Sequence, residues 1–218
     1  IINPAEKICG SNHGENLLLL AFVPISPNNF LGRNIIRQTW SNYNRLDNMR
    51  VIFLLGKESK INSTLIEQIH IESDLYGDMI QEDFLDSYRN LTIKTIMGFK
   101  WVSNFCSRVK FVLKVDDDVV VNTVNLLDYL KHLNQTKSIV NNSLLCKINP
   151  NTTVSRVSSS KFFVSKKEYP FNIFPKYCDG PAYLLTGDLA TKFLNLSRNI
   201  KKFVFEDVYV GILASKLN

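Results

Sequence analysis

Apolar and polar positions along the chain fall into two alternating periods. Leu17–Val23 is an unbroken apolar run, the pattern of a strand buried on both faces, and Val51–Leu55 (VIFLL) repeats it before closing at Gly56. Val109–Val115 (VKFVLKV) reads as the next strand and runs straight into three aspartates, after which Val119–Val121 resumes the apolar character. Between these runs the period lengthens. Beyond a Pro/Asn loop at Pro24–Asn29, residues 33–40 predict a short helix, and Leu65, Ile66 and Ile69 recur at helical spacing within Ser63–Ser73. Ile93, Met97, Trp101 and Phe105 repeat at i+4, with Ile96 beside them, so a helix over Tyr88–Phe105 turns one face to the core. Thr123–Leu133 predicts another helix, whereas residues 134–160 are polar and aperiodic and read as a long surface excursion. Strands alternating with helices predict one α/β domain over residues 1–218, with a mainly parallel central sheet flanked by helices. Ligands of such sheets bind at the carboxyl ends of the strands, where the aspartates fall.

Composition narrows the class. At 45% hydrophobic and 21% charged residues the chain has the make-up of an ordinary globular domain. Its longest apolar run is too short to cross a bilayer, and no signal-peptide pattern starts at Ile1. The net charge of +6 comes from scattered basic residues, in pairs such as Lys166-Lys167 and Lys201-Lys202. No basic stripe interleaved with aromatics accompanies them, which argues against a nucleic-acid partner. Asn-x-Ser/Thr sequons begin at Asn62, Asn90, Asn134, Asn141, Asn151 and Asn195, a modest excess that favours a glycosylating compartment. Cys9, Cys106, Cys146 and Cys178 lack the spacing of a zinc site; in an oxidising lumen they allow two disulfides in any of three pairings.

The candidate chemistry centres on Asp116-Asp117-Asp118. Adjacent carboxylates facing a dry interior repel and resist ionisation. A hard divalent cation offsets that cost, and Mg²⁺ or Mn²⁺ takes oxygen ligands shared with substrate phosphates. In extended chain Asp116 and Asp118 share a face while Asp117 points away, a D-x-D arrangement suited to a metal-bridged nucleotide diphosphate. The competing structural reading is an acidic turn that caps the following helix.

Ordered blocks along the chain extend this reading. They are Arg33-Asn-Ile-Ile-Arg37-Gln-Thr-Trp40, Glu82-Asp-Phe-Leu-Asp86-Ser-Tyr-Arg-Asn-Leu-Thr-Ile-Lys94-Thr, and Lys100-Trp101 with Cys106. Phe111-Val-Leu-Lys114-Val-Asp-Asp-Asp118-Val-Val-Val-Asn122 follows, then Tyr169-Pro170, Tyr177-Cys-Asp-Gly180-Pro-Ala-Tyr183 and Phe205-Glu206-Asp207-Val208-Tyr-Val-Gly211. In these blocks the sequence resembles the β-1,3-glycosyltransferases, the galactosyl- and N-acetylglucosaminyltransferases related to Fringe. The resemblance implies a GT-A fold and a UDP-sugar donor. It further implies Mn²⁺ (or Mg²⁺), a glycan acceptor, and inverting transfer that forms a β-1,3 linkage. It also implies a Golgi-membrane protein with a luminal catalytic domain, an N-terminal anchor preceding Ile1, and some tens of residues following Asn218.

Carried over by position, the resemblance makes Asp118 the metal carboxylate and Asp116 its neighbour at both metal and nucleotide. It makes Asp207 the general base, and it places Gly180 and Tyr183 along the active site. Asp117, Arg33, Arg37 and Glu206 join the candidate donor-binding set, Glu206 as a second carboxylate able to orient substrate or raise its neighbour's pKa. Arg37 also fits an ion pair with Asp86 or another acid, the reading favoured for it, and Lys94 fits an acid partner. Trp40, Trp101 and Tyr88 are expected in the core, and His13, His70 and His132 on the surface. Because Cys106 and Cys178 both lie in matched blocks, their pairing is favoured, leaving Cys9 with Cys146. Other readings are a catalytically silent glycan- or nucleotide-binding relative, a metal-dependent phosphohydrolase and, more remotely, a Ca²⁺-binding module. The identities of the transferred sugar and of the acceptor are not legible.

Overall fold

The structure is a computed structural model that describes residues 2–4, 8–42, 48–59, 62–139 and 141–217. Its spine is a six-stranded sheet in the order β3-β2-β1-β4-β8-β5. The strands are β1 (Leu19–Pro24), β2 (Met49–Lys57), β3 (Met79–Leu85), β4 (Phe111–Val115), β8 (Ala182–Thr186) and β5 (Leu144–Leu145). β1 through β4 are mutually parallel, with Leu19 opposite Met49 on one side and Phe111 on the other, while β8 runs antiparallel to β4 and β5. The expectation of a mainly parallel α/β sheet therefore holds.

The apolar runs explain the layering. In β1 every residue is buried, because its side chains alternate between two cores. Leu20 and Phe22 meet α3 (Leu91–Phe105), α5 (Gly187–Ser197) and α6 (Glu206–Ala214) on one face. Leu19, Ala21 and Val23 meet α1 (Phe30–Gln38), α2 (Ser63–Tyr76) and α4 (Thr123–Thr136) on the other. Strands covered on both faces have no polar positions to alternate, hence the continuous runs. Gly98 lets α3 press onto the sheet, since a Cβ there would meet Leu54 Cδ1 at 2.9 Å.

Several expectations change. α3 buries a broader face than the i+4 stripe: Met97 and Trp101 are buried, but so are Lys94, Thr95 and Phe99, while Ile93, Ile96 and Phe105 are half-buried. The helix carries the sheet on one side and α5 on the other. The excursion after α4 is not confined to the surface. It contributes β5 and also β6 (Ile148–Asn149), which pairs with β7 (Tyr177–Cys178), and it buries Val154. Beyond residue 160, Val164 and Phe174 are buried as well, Phe174 against the rings of Tyr169, Phe203 and Phe205. The Cys106–Cys178 pairing is corrected. Cys9 joins Cys106, and Cys146 joins Cys178, each with Cα atoms 5.5 Å apart. The first bridge ties the N-terminal segment to the end of α3, and the second staples the excursion to β7. Tyr88 is not core: it sits in a short 3-10 turn (Tyr88–Asn90) with 56% of its surface exposed. Trp40 and Trp101 are buried and the three histidines exposed, as expected.

Candidate active site

β1 stands between β2 and β4, so the chain crosses to opposite sides of the sheet from neighbouring parallel strands. That switch point opens a crevice beyond the carboxyl ends of β1 and β4. The loop after β1 and the aspartates after β4 meet there, and Asn29 Nδ2 donates to Asp117 Oδ2 at 3.0 Å. Asn29 also caps α1 by accepting from Gly32 N–H, so a helix start and the acidic turn are fixed to each other.

The three carboxylates have different surroundings. β4 ends at Val115, and Asp116 to Val119 form a turn closed by the Val119 N–H on the Asp116 carbonyl at 3.3 Å. The alternation expected of extended chain therefore does not operate. Asp116 accepts from the Lys114 ammonium, Asp117 is held by Asn29, and Asp118 is exposed. Burial raises the Asp116 carboxyl above its usual range despite Lys114, with the charges of Glu206 and Asp118 adding to the rise. Among the described residues no group of three or more His, Cys, Asp or Glu side chains is arranged to hold a metal. The turn thus does not fit a cation caged by protein alone. It does fit one bound through one or two carboxylates and completed by phosphate oxygens and water.

Lys114 organises what surrounds it. It is buried on β4, donates to Asp116, donates to the Gly180 carbonyl at 2.6 Å, and lies 3.6 Å from Glu206 Oε2. The Tyr183 hydroxyl, on the neighbouring β8, donates to Glu206 Oε1. Tyr183 and Glu206 are both buried, so they form the support beneath the site rather than its open wall. Desolvation works against the Lys114 charge, but Glu206 and Asp116 outweigh it and hold its pKa above the ordinary lysine value.

Asp207 occupies the first turn of α6, with Oδ1 accepting from Val208 N–H at 2.7 Å. Burial pushes its carboxyl up to about 6; the Val208 hydrogen bond opposes the rise and the Glu206 charge adds to it. The backbone of Gly180 passes close by, and a Cβ there would stand 3.4 Å from Asp207 Oδ2. Tyr88 lies over the same region: its hydroxyl is raised by burial and then by the charges of Asp207 and Asp116.

Of the candidate residues, Asp116, Gly180, Tyr183, Glu206 and Asp207 gather around Lys114, and Asp117 and Asp118 flank them on the β4 turn. Arg33 and Arg37 do not join them. Arg33 has no exposed surface; it donates to both Glu72 oxygens at 2.9 and 2.6 Å and to the carbonyls of Ser26 and Pro27. Arg37 donates to Asp78 twice at 2.7 Å and to Glu72 at 2.6 Å, while its guanidinium packs on the Tyr76 ring. Asp86 is the partner of Lys94 instead, at 2.7 Å. Lys114 and Asn29 are not among the candidates the sequence offers, and Tyr88, expected in the core, is exposed beside the site. Lys114 left a signal, as the one charged residue within the buried run FVLKV.

Residues 32–218 match the family model for galactosyltransferases. The UDP-GalNAc:beta-1,3-N-acetylgalactosaminyltransferase 1 of Rattus norvegicus is 39% identical over 210 residues, covering 93% of this chain and 61% of the relative. Human beta-1,3-galactosyltransferase 5 is 37% identical over 202 residues, covering 92% of this chain and 63% of the relative. The chain spans about three-fifths of the length of these curated relatives. Among solved structures, a galactosyltransferase in complex with donor and acceptor sugar analogs superimposes with a TM-score of 0.45 and 11% identity, over 89% of this chain and 70% of that one.

Proposed function

The chain belongs to the galactosyltransferase family, and from that premise we propose that it is the GT-A catalytic domain of an inverting hexosyltransferase. It moves galactose or an N-acetylhexosamine from a UDP-sugar to a glycan hydroxyl in β-1,3 linkage. The observation that carries the reading is the Lys114 hub. It joins the aspartate turn to the helix start bearing Asp207, the carboxylate whose pKa rises to about 6.

In the proposed reaction the acceptor hydroxyl oxygen bonds to the anomeric carbon as the bond from that carbon to the UDP oxygen breaks. The bonding electrons leave with UDP, and the hydroxyl proton passes to Asp207. A base with a pKa near 6 is ionised at neutral pH yet still takes a proton, and such a group contributes about 10²–10⁴-fold. Asp118 and Asp116 would hold Mn²⁺ or Mg²⁺ together with the donor phosphates, and the bound cation would neutralise charge on the departing diphosphate. Glu206, anchored by Tyr183 and Lys114, fixes the first turn of α6 and adds negative charge beside the base. Asn29 holds Asp117 and, through it, the turn.

The relatives' names favour galactose or N-acetylgalactosamine as the sugar. Sequons at exposed Asn62, Asn134, Asn141 and Asn151 and the two disulfides suit an oxidising lumen, in keeping with a Golgi enzyme. The test is incubation with UDP-galactose, UDP-N-acetylgalactosamine or UDP-N-acetylglucosamine and a panel of glycoside acceptors, with NMR of the product. A β-1,3-linked product that fails to form in chelator supports the reading. UDP-sugar binding with no transfer to any acceptor would favour the silent relative.

A further inference from the structure

One open cleft, of about 280 Å³, has Asp207 on its wall and aromatic side chains around it. Its walls come from segments distant in sequence. Tyr88 stands before α3, Thr152 and Thr153 lie in the excursion after β6, Phe162 follows them, and Tyr177 belongs to β7. Two of the rings are open to solvent, with Tyr88 56% and Phe162 47% exposed. Phe162 is held edge-on against Phe205 with centroids 6.0 Å apart, and the Tyr177 hydroxyl donates to Thr152 Oγ1 at 3.1 Å. Phe162 and Tyr177 are therefore held in place, and hydroxyls lie between the rings of the wall.

Sugars offer the matching chemistry. A pyranose has a C–H face that packs on an aromatic ring and hydroxyls that need partners at its edge, and the hydroxyls of Thr152, Thr153 and Ser155 line this wall. A water takes about 30 Å³ of liquid volume, so the cleft holds about nine waters' worth, the scale of a single ring. Among the described residues of the wall, the one charged side chain is the carboxylate of Asp207. The ammonium of Lys161 stacks on the Phe162 ring at 4.7 Å, outside that wall.

We propose that this cleft is the acceptor subsite, taking the terminal uncharged pyranose of the acceptor with its attacking hydroxyl turned to Asp207, and that Tyr88 and Phe162 are its stacking platform. This inference rests on the transferase reading above. The excursion stapled by Cys146–Cys178 is then the segment that determines the acceptor. Tyr88, within the fields of both Asp207 and Asp116, stands where acceptor and donor meet.

The test uses Tyr88→Ala and Phe162→Ala, chosen because their exposure leaves the core intact, with Tyr88→Phe and Phe162→Tyr as conservative partners. Each alanine variant is expected to raise the acceptor KM by about tenfold while the donor KM stays within about twofold, and the conservative variants are expected to restore the acceptor KM. A uronic-acid-terminated acceptor is expected to show a kcat/KM about tenfold below its uncharged counterpart, through repulsion by Asp207. Normal transfer with an unchanged acceptor KM in both alanine variants would overturn the subsite and leave the activity standing. Equal use of the charged acceptor would overturn its uncharged class. No transfer by the wild type to any acceptor would overturn activity and subsite together.

Discussion

The Lys114 ammonium, on the strand that ends in the aspartates, stands 3.6 Å from Oε2 of Glu206, the residue preceding the proposed base. Both side chains are buried. A buried cation paired with a buried acid is costly to remove, because Glu206 loses its counterion where water cannot replace it. Lys114→Met is therefore expected to destabilise the fold by about 3–5 kcal/mol, read by chemical denaturation. Lys114 is also among the groups that hold the Asp207 pKa down. The variant's acid limb of activity should thus move to higher pH than the wild type's. A limb that stays in place would show that Lys114 does not act on Asp207.

The wild-type pH profile follows from Asp207 itself. A base must be deprotonated to accept the acceptor's proton, and burial raises this carboxyl to about 6. Above that pH the base is available; below it, kcat/KM should fall about tenfold per pH unit. An acid limb nearer the ordinary carboxylate value of about 4 would contradict the environment described for Asp207.

Arg33 separates a fold role from a donor role. Glu72 is raised by burial, but hydrogen bonds from Arg33 and Arg37 outweigh that and hold it below its ordinary value. A carboxylate depressed in the fold stabilises at and above the unfolded pKa of about 4.3 and loses that contribution as pH falls further. Arg33→Met should cost about 3–5 kcal/mol at neutral pH and weaken the acid loss of stability. The donor KM should move by no more than about twofold. A large rise in donor KM at unchanged stability would return Arg33 to the donor site.

Peptide mapping without reduction should find Cys9 linked to Cys106 and Cys146 linked to Cys178. The second bridge spans 32 residues of sequence, a loop for which closure entropy predicts about 3–4 kcal/mol of stabilisation. A Cys106–Cys178 peptide would contradict the structure.

The chain disclosed β1, β2 and β4 because they are covered on both faces and leave continuous apolar runs, but not the interior strand β8. It concealed β3, whose residues from Gln81 onward are partly buried or exposed, and β5 to β7, each two residues long. Such short ladders carry no period, and contacts distant in sequence decide their pairing. Similarity between two blocks says nothing about their distance in space, so the cysteine pairing drawn from matched blocks failed. The acidic candidates were visible as residue types. Their support was not, because it depends on Lys114, Tyr183 and Glu206 arriving from three elements. Arg33 and Arg37 look alike as donor ligands or as ion pairs until Glu72 and Asp78 are brought beside them from α2 and the turn after it.

The central claim is that Asp207 is the base of a sugar transfer begun at the aspartate turn. Asp207→Asn keeps the size of the side chain and a carbonyl able to accept from Val208, but it removes the proton acceptor. Initial rates of transfer from the preferred UDP-sugar to a glycoside, measured for wild type and Asp207→Asn at saturating donor, test it most directly. The account predicts a fall in kcat of about 10²–10⁴-fold with the donor KM little changed. Equal turnover by the two proteins would contradict it and remove Asp207 from the mechanism.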